Sequence, residues 1–205
     1  MRRTHGFLGL GLIVATGACN TPPVAEAPAA TPAAKVEPAQ SPAERGKYLV
    51  TVGGCDDCHS PKIFTPEGVP EPDPARRLSG HPAADKLPNI NVSTVLGPGK
   101  FGAIGSGDFT AWVGPWGTTY TMNLTPDKTT GLGSWNEAMF IKALRTGKHQ
   151  GEGRPILPPM PYFNFAKMTD DDLKAVWAFL QTLPPIQNAI PDPVPPPGAL
   201  PAAKP

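Results

Sequence analysis

Cysteine is scarce in this chain, with three in 205 residues. That is too few for a disulfide framework. A zinc site would need a second pair of thiolates or histidines at ligand spacing, whereas Cys19, His81 and His149 each stand alone. Charge is scarce too. Asp, Glu, Lys and Arg make up 17% of residues and the formal net charge is +1, which argues against nucleic acid or an anionic membrane surface as partner. No apolar run is long enough to span a bilayer, and no internal repeat is visible. What the chain has in excess is 29 prolines and 22 glycines. Proline crowds residues 21–42 and 184–205, which reads as extended linker and tail and leaves 42–186 for one globular unit.

The N-terminus carries the features of an export signal over residues 1–18. Arg2 and Arg3 give a charged start, Phe7 to Val14 a short apolar core, and small residues follow. Ala15-Thr16-Gly17-Ala18-Cys19 resembles a bacterial lipoprotein cleavage box with Cys19 as the lipidated residue, although Thr16 stands where leucine is commonest. The alternative is ordinary cleavage after Ala27, which would discard Cys19. Residues 19–41 then form a Pro/Ala-rich tether, reaching roughly 50–70 Å at about 3.1 Å per residue. Either cleavage predicts an exported protein. Lipidation adds a membrane anchor to a periplasmic domain.

Three helices are signalled by their caps. Ser41-Pro42-Ala43-Glu44 is a capping box with proline at the first helical position, leading into the stripe Gly46, Leu49, Val50, Gly53. Glycine at such positions suits close approach of another helix. Ser134 with Glu137 predicts a second helix, carrying Met139, Phe140, Ala143 and Leu144 and ending at Gly147. Thr169 followed by Asp170, Asp171 and Asp172 opens a third, with Leu173, Val176, Trp177 and Leu180 as its apolar face. Residues 60–133 are rich in Gly, Pro, Asn and Thr and read as a long loop insertion, with a short strand pair near Thr118–Thr125. Phe101, Phe109, Trp112, Trp116 and Tyr120 in it argue for wrapping on something large and flat rather than for disorder. The expected fold is mainly α with little or no β.

The chemistry concentrates in Cys55-Asp56-Asp57-Cys58-His59. Two thiols three residues apart can each add to one vinyl group of a porphyrin, and the adjacent histidine can give its imidazole nitrogen to the iron. One such motif predicts one covalent haem c. A chance match, or half of a zinc site, is the bland alternative. The other axial ligand is expected at Met160, in Leu157-Pro158-Pro159-Met160-Pro161-Tyr162, where three prolines stiffen a loop that presents one thioether. Met1 leaves with a leader, Met139 lies on an amphipathic helix, and Met168 sits beside a helix cap.

Taken in order, several segments resemble the bacterial class I cytochrome c domains, and more closely those that serve as electron-transfer subunits of membrane-associated dehydrogenases. They are Arg45–Leu49 leading into Cys55–His59, Asn123–Asp127, Thr130–Trp135, Arg145–Gly147, Pro159–Tyr162 and the stretch from Met168 to Pro185. The resemblance implies a first and last helix crossing near Gly46, and Asn123–Pro126 passing near the haem edge. It implies Arg154 as partner of a haem propionate, with a plain surface arginine as alternative. Trp116 and Tyr162 are pocket walls in the same picture, with core packing as the equal alternative. It further implies a non-enzymatic carrier of single electrons from a dehydrogenase or quinol-oxidising complex to an oxidase or another cytochrome. The rival reading is a haem enzyme or a gas or redox sensor with a displaceable sixth ligand, in which His81 or His149 alternates with Met160.

Overall fold

The computed structural model describes residues 40–196. The proposed leader, Cys19 and most of the tether lie outside the described residues. The first helix, α1 (Pro42–Val52), starts where its capping box predicts: the Ser41 hydroxyl accepts the Glu44 amide, and the Glu44 carboxylate accepts the Ser41 amide. The short α2 (Cys55–His59) follows. The insertion then folds as a two-stranded ribbon, β1 (Lys62–Phe64) with β2 (Pro70–Pro72). Beyond a one-turn α3 (Val92–Val95) comes a three-stranded antiparallel sheet of β3 (Ile104–Gly105), β4 (Ala111–Gly114) and β5 (Gly117–Tyr120), in that order. Helices α4 (Glu137–Thr146), α5 (Tyr162–Phe165) and α6 (Asp170–Leu180) complete the chain order.

The insertion therefore holds more β structure than the sequence suggests. Its strands are two to four residues long and rich in Gly and Pro, so no alternating pattern is visible. Proline is tolerated in β2 because a two-stranded ribbon has only edges. The strand near Thr118 pairs with the preceding segment 111–114, and 121–125 is not a strand.

Helix α6 begins as predicted, with the Thr169 hydroxyl accepting the Asp172 amide. Helix α4 starts two residues later than expected from Ser134, because Asn136 accepts the Met139 amide and becomes the cap. Ser134 instead ends a 3₁₀ turn at Leu132–Ser134. At the other end Gly147 adopts φ 67°, the left-handed turn that glycine accepts without strain.

Helices α1 and α6 cross with backbones in contact, since an added Cβ on Gly46 would lie 1.9 Å from the Ala175 carbonyl oxygen. Val50, Leu78, Leu132, Phe140, Val176, Phe179 and Leu180 form the core between α1, α4, α6 and the start of the insertion. The described residues beyond Ile186, 187–196, pack back onto the domain. The Asn188 side-chain amide donates to the Ser79 and His81 carbonyls, each at 2.8 Å, and Val194 bridges to Thr118. Val194 keeps the amide its proline neighbours lack, which is why the contact falls there.

Candidate functional site

Helix α2 is one turn long, so Cys55, Cys58 and His59, at i, i+3 and i+4, share a face. Gly54, at φ 66°, turns the chain into it. The opposite face is clamped. Asp56 receives Arg77 through Nε at 3.0 Å and Nη2 at 2.7 Å, and the Ser60 hydroxyl at 2.8 Å. Ser60 in turn accepts the Leu78 amide at 2.8 Å, and the Lys62 ammonium donates to the Asp56 and Ser60 carbonyls at the end of the helix. Burial pushes the Asp56 carboxyl up, but the hydrogen bonds from Arg77 and Ser60 outweigh it and leave the group below its ordinary range.

His59 is 8% exposed and its Nδ1 lies 2.7 Å from the Met122 carbonyl oxygen. A carbonyl only accepts, so the ring proton sits on Nδ1 and the Nε2 lone pair is left for a metal. Burial also holds the imidazole below its usual pKa, in the neutral form that ligation needs. Neither cysteine is in a disulfide. Burial, and after it Asp56 and Asp57, pushes the Cys55 thiol up to about 12, and burial raises Cys58 as well.

These side chains open on a cavity of about 290 Å³ with a smaller lobe of about 70 Å³. Cys55, His59, Leu124, Phe140, Leu144, Met160 and Phe165 line both. Trp112, Tyr120, Leu132, Trp135 and Ile156 add further apolar wall. Met160 enters from a loop with a cis Pro158–Pro159 peptide. The Thr119 hydroxyl holds that loop to β5 by donating to the Pro158 carbonyl at 2.9 Å. His149 also lines the cavity, edge-on to Trp135 at 5.0 Å. So does Arg154, whose guanidinium has no ion-pair partner among the described residues and only a long bond to the Pro155 carbonyl. An imidazole Nε2, a thioether, two thiols and an unpaired guanidinium around an apolar cavity fit the donor set of a haem c with its propionates.

Three residues expected at this site are placed elsewhere. The Trp116 indole folds over Gly114 in the β4–β5 turn, and Trp112 on β4 supplies the wall instead. Asn123 is fully buried and does not line the cavity, although Met122 and Leu124 on either side of it do. Its Oδ1 accepts the Thr125 amide and hydroxyl, and its Nδ2 donates to the Ile186 carbonyl at 2.7 Å. The Tyr162 ring packs on Gly147, and Phe165, three residues on, reaches the cavity. Trp112 and Tyr120 belong to the aromatic set expected to wrap a flat group. Trp135, Phe140 and Phe165 are walls that the sequence reading does not assign, and of these only Trp135, inside the resembling segment Thr130–Trp135, carries any signal.

No family model matches the chain. It is 32% identical over 147 residues to the gluconate 2-dehydrogenase cytochrome c subunit of Pantoea cypripedii, covering 71% of this chain and 24% of that one. It is 42% identical over 81 residues to the cytochrome c subunit of the quinone alcohol dehydrogenase of Gluconobacter oxydans, covering 38% and 17%. A diheme cytochrome c-type protein of Cereibacter sphaeroides is 28% identical over 147 residues, covering 72% and 38%. The chain thus spans about a quarter of the first of these relatives. It is related to proteins named as cytochrome c subunits of dehydrogenases.

Proposed function

We propose that the chain is an exported mono-haem c-type cytochrome that carries single electrons from a dehydrogenase or quinol-oxidising donor to an oxidase or another cytochrome. One observation carries the reading: His59, its Nδ1 committed to the Met122 carbonyl, and Met160 line the same apolar cavity, with Cys55 and Cys58 in its wall. Cys55 and Cys58 would hold the porphyrin through thioether bonds, and His59 and Met160 would ligate the iron. The bound haem supplies a one-electron couple, and the thioether favours its reduced state. Arg154, in the cavity wall, would offset propionate charge. The apolar walls exclude water, and α2, clamped through Asp56, holds the attachment site rigid.

In the same reading residues 1–18 are a signal peptide, Cys19 carries lipid, 19–41 are a tether and 42–186 the cytochrome domain, held at a membrane from the periplasmic side. Similarity to dehydrogenase subunits supports a dehydrogenase as donor. A haem enzyme or sensor is the second reading, and it draws on the presence of His149 in the cavity wall. The deciding experiment is a visible and near-infrared spectrum of oxidised and reduced protein, with and without carbon monoxide. The carrier shows the weak red band of iron–methionine bonding and binds carbon monoxide poorly. Strong carbon monoxide binding without that band selects the second reading. A colourless polypeptide after expression with a haem-attachment system rejects both.

A further inference from the structure

The insertion contains a buried titratable group that electron carriage as described does not use. His81 is 1% exposed. Its Nδ1 lies 2.8 Å from the Thr110 hydroxyl oxygen, and that hydroxyl donates to Asp108 Oδ2 at 2.7 Å. Asp108 is fixed in turn by the Ser106 hydroxyl at 2.6 Å. A hydroxyl has one hydrogen, and here it goes to Asp108. Thr110 must therefore accept from His81, which places the ring proton on Nδ1. The lone pair of the neutral ring is then on Nε2, and Nε2 is buried with no hydrogen-bond partner. A buried polar atom without a partner is costly and marks either strain or use.

The position of His81 ties it to the cavity. Its backbone amide donates to the Thr121 carbonyl at 3.0 Å, and Thr121 lines the cavity. The next carbonyl, that of Met122, holds His59. Gly80, just before His81, donates its amide to the His59 carbonyl at 2.8 Å. Two strands of backbone thus hold His81 to the proposed iron ligand. The groups facing the ring are Asp108 from the β3–β4 turn through Thr110, Asp85 from its own loop, and Tyr120 of β5, whose ring centre lies 4.9 Å away at a tilt of 42°. The neutral amide of Asn188 holds its carbonyl. Burial pushes the imidazole below its usual range, and Asp108 and Asp85 act to raise it without overcoming the burial.

We propose, building on the haem reading above, that His81 is a proton-binding site coupled to the redox state of the cavity. One electron from a reduced donor protein goes to the bound group, and one proton from solvent forms the Nε2–H bond of His81. On oxidation both leave. The coupling is Coulombic: less positive charge in the cavity makes an imidazolium nearby less costly, and the same free energy acts in both directions. The chain then carries a proton with its electron inside the window between the two pKa values of His81, and an electron alone outside it.

The test is a potentiometric titration of the full-length, haem-loaded protein, followed by its visible absorbance from about pH 4 to pH 9. The wild-type midpoint potential should be level in acid, fall as pH rises through the window, and level again. His81→Gln should remove the fall. Asp108→Asn withdraws the negative charge that favours imidazolium, and should move the window to lower pH. Nitrogen NMR of the neutral imidazole should show the proton on Nδ1. A pH-independent wild-type potential overturns the proposal, and so does an unchanged fall in His81→Gln. Should that variant fail to accumulate, Asp108→Asn decides, and a window that stays in place overturns the proposal. A coloured protein with a level potential rejects this coupling alone, whereas a colourless one rejects the haem reading beneath it.

Discussion

Gly46 and Ala175 meet backbone to backbone: a Cβ on Gly46 would stand 1.9 Å from the Ala175 carbonyl oxygen and 2.8 Å from the Phe179 Cβ. Main chain cannot swing aside as a flexible side chain can, so the crossing of α1 and α6 depends on the missing methyl. Gly46→Ala should gain helix propensity in α1 yet destabilise the fold by about 3 kcal/mol, because the overpacking exceeds the propensity gain. Denaturant unfolding measures it. A stability equal to wild type would mean that the helices part without cost.

Met160→Ala should abolish the red absorption band, open the iron to carbon monoxide and lower the potential, since the ligand that favours the reduced state is gone. The fold should persist through the two thioether bonds and His59. Met139, on the α4 helix and outside the cavity lining, is the control. Its alanine variant should keep the band and lose about 1–3 kcal/mol of stability. A Met160→Ala spectrum that keeps the red band would place the sixth ligand at another thioether lining the cavity, Met122 or Met168.

Acid should act through Asp127. Hydrogen bonds from Thr130 and Thr129 hold its carboxyl down at about 2. A depressed carboxylate stabilises the folded state above its unfolded pKa of about 3.9, and that contribution fades as pH falls toward 2. Asp127→Ala should therefore lose less stability than wild type on acidification across this interval, read by thermal melts at each pH. Parallel losses would show that the turn at 127–130 does not depend on the charge.

Cys19→Ala should move the protein from the membrane to the soluble periplasmic fraction without loss of haem. A wild type that is already soluble, with its N-terminus near Pro28, would establish ordinary cleavage instead.

Local chemistry explains what could be read from the chain before folding. The Ser41–Glu44 box and the Thr169 cap announce α1 and α6, because the bonds that start these helices lie within four residues. Asn136 and Ser134 compete to start α4, and only the geometry of the 3₁₀ turn at Leu132 decides between them. Cys55, Cys58 and His59 are legible because their spacing is their chemistry. Trp112 and Trp116 are not distinguishable by sequence. Which indole faces the cavity depends on the Gly114–Gly117 pairing, a register that residue type alone does not specify. His81 reads as a solitary histidine until the fold brings Thr110 and Asp108 to it.

The Asn188 amide binds the carbonyls on both sides of Gly80, while its own backbone amide donates to the Thr130 hydroxyl at 2.9 Å. It fastens the insertion to the α4 approach from a position near the end of the chain. Synthesis runs from the N-terminus, and domains fold in that order as they emerge. The attachment helix at Cys55–His59 is thus complete more than a hundred residues before its fastening exists. During that interval the thiols stay open to whatever machinery loads them.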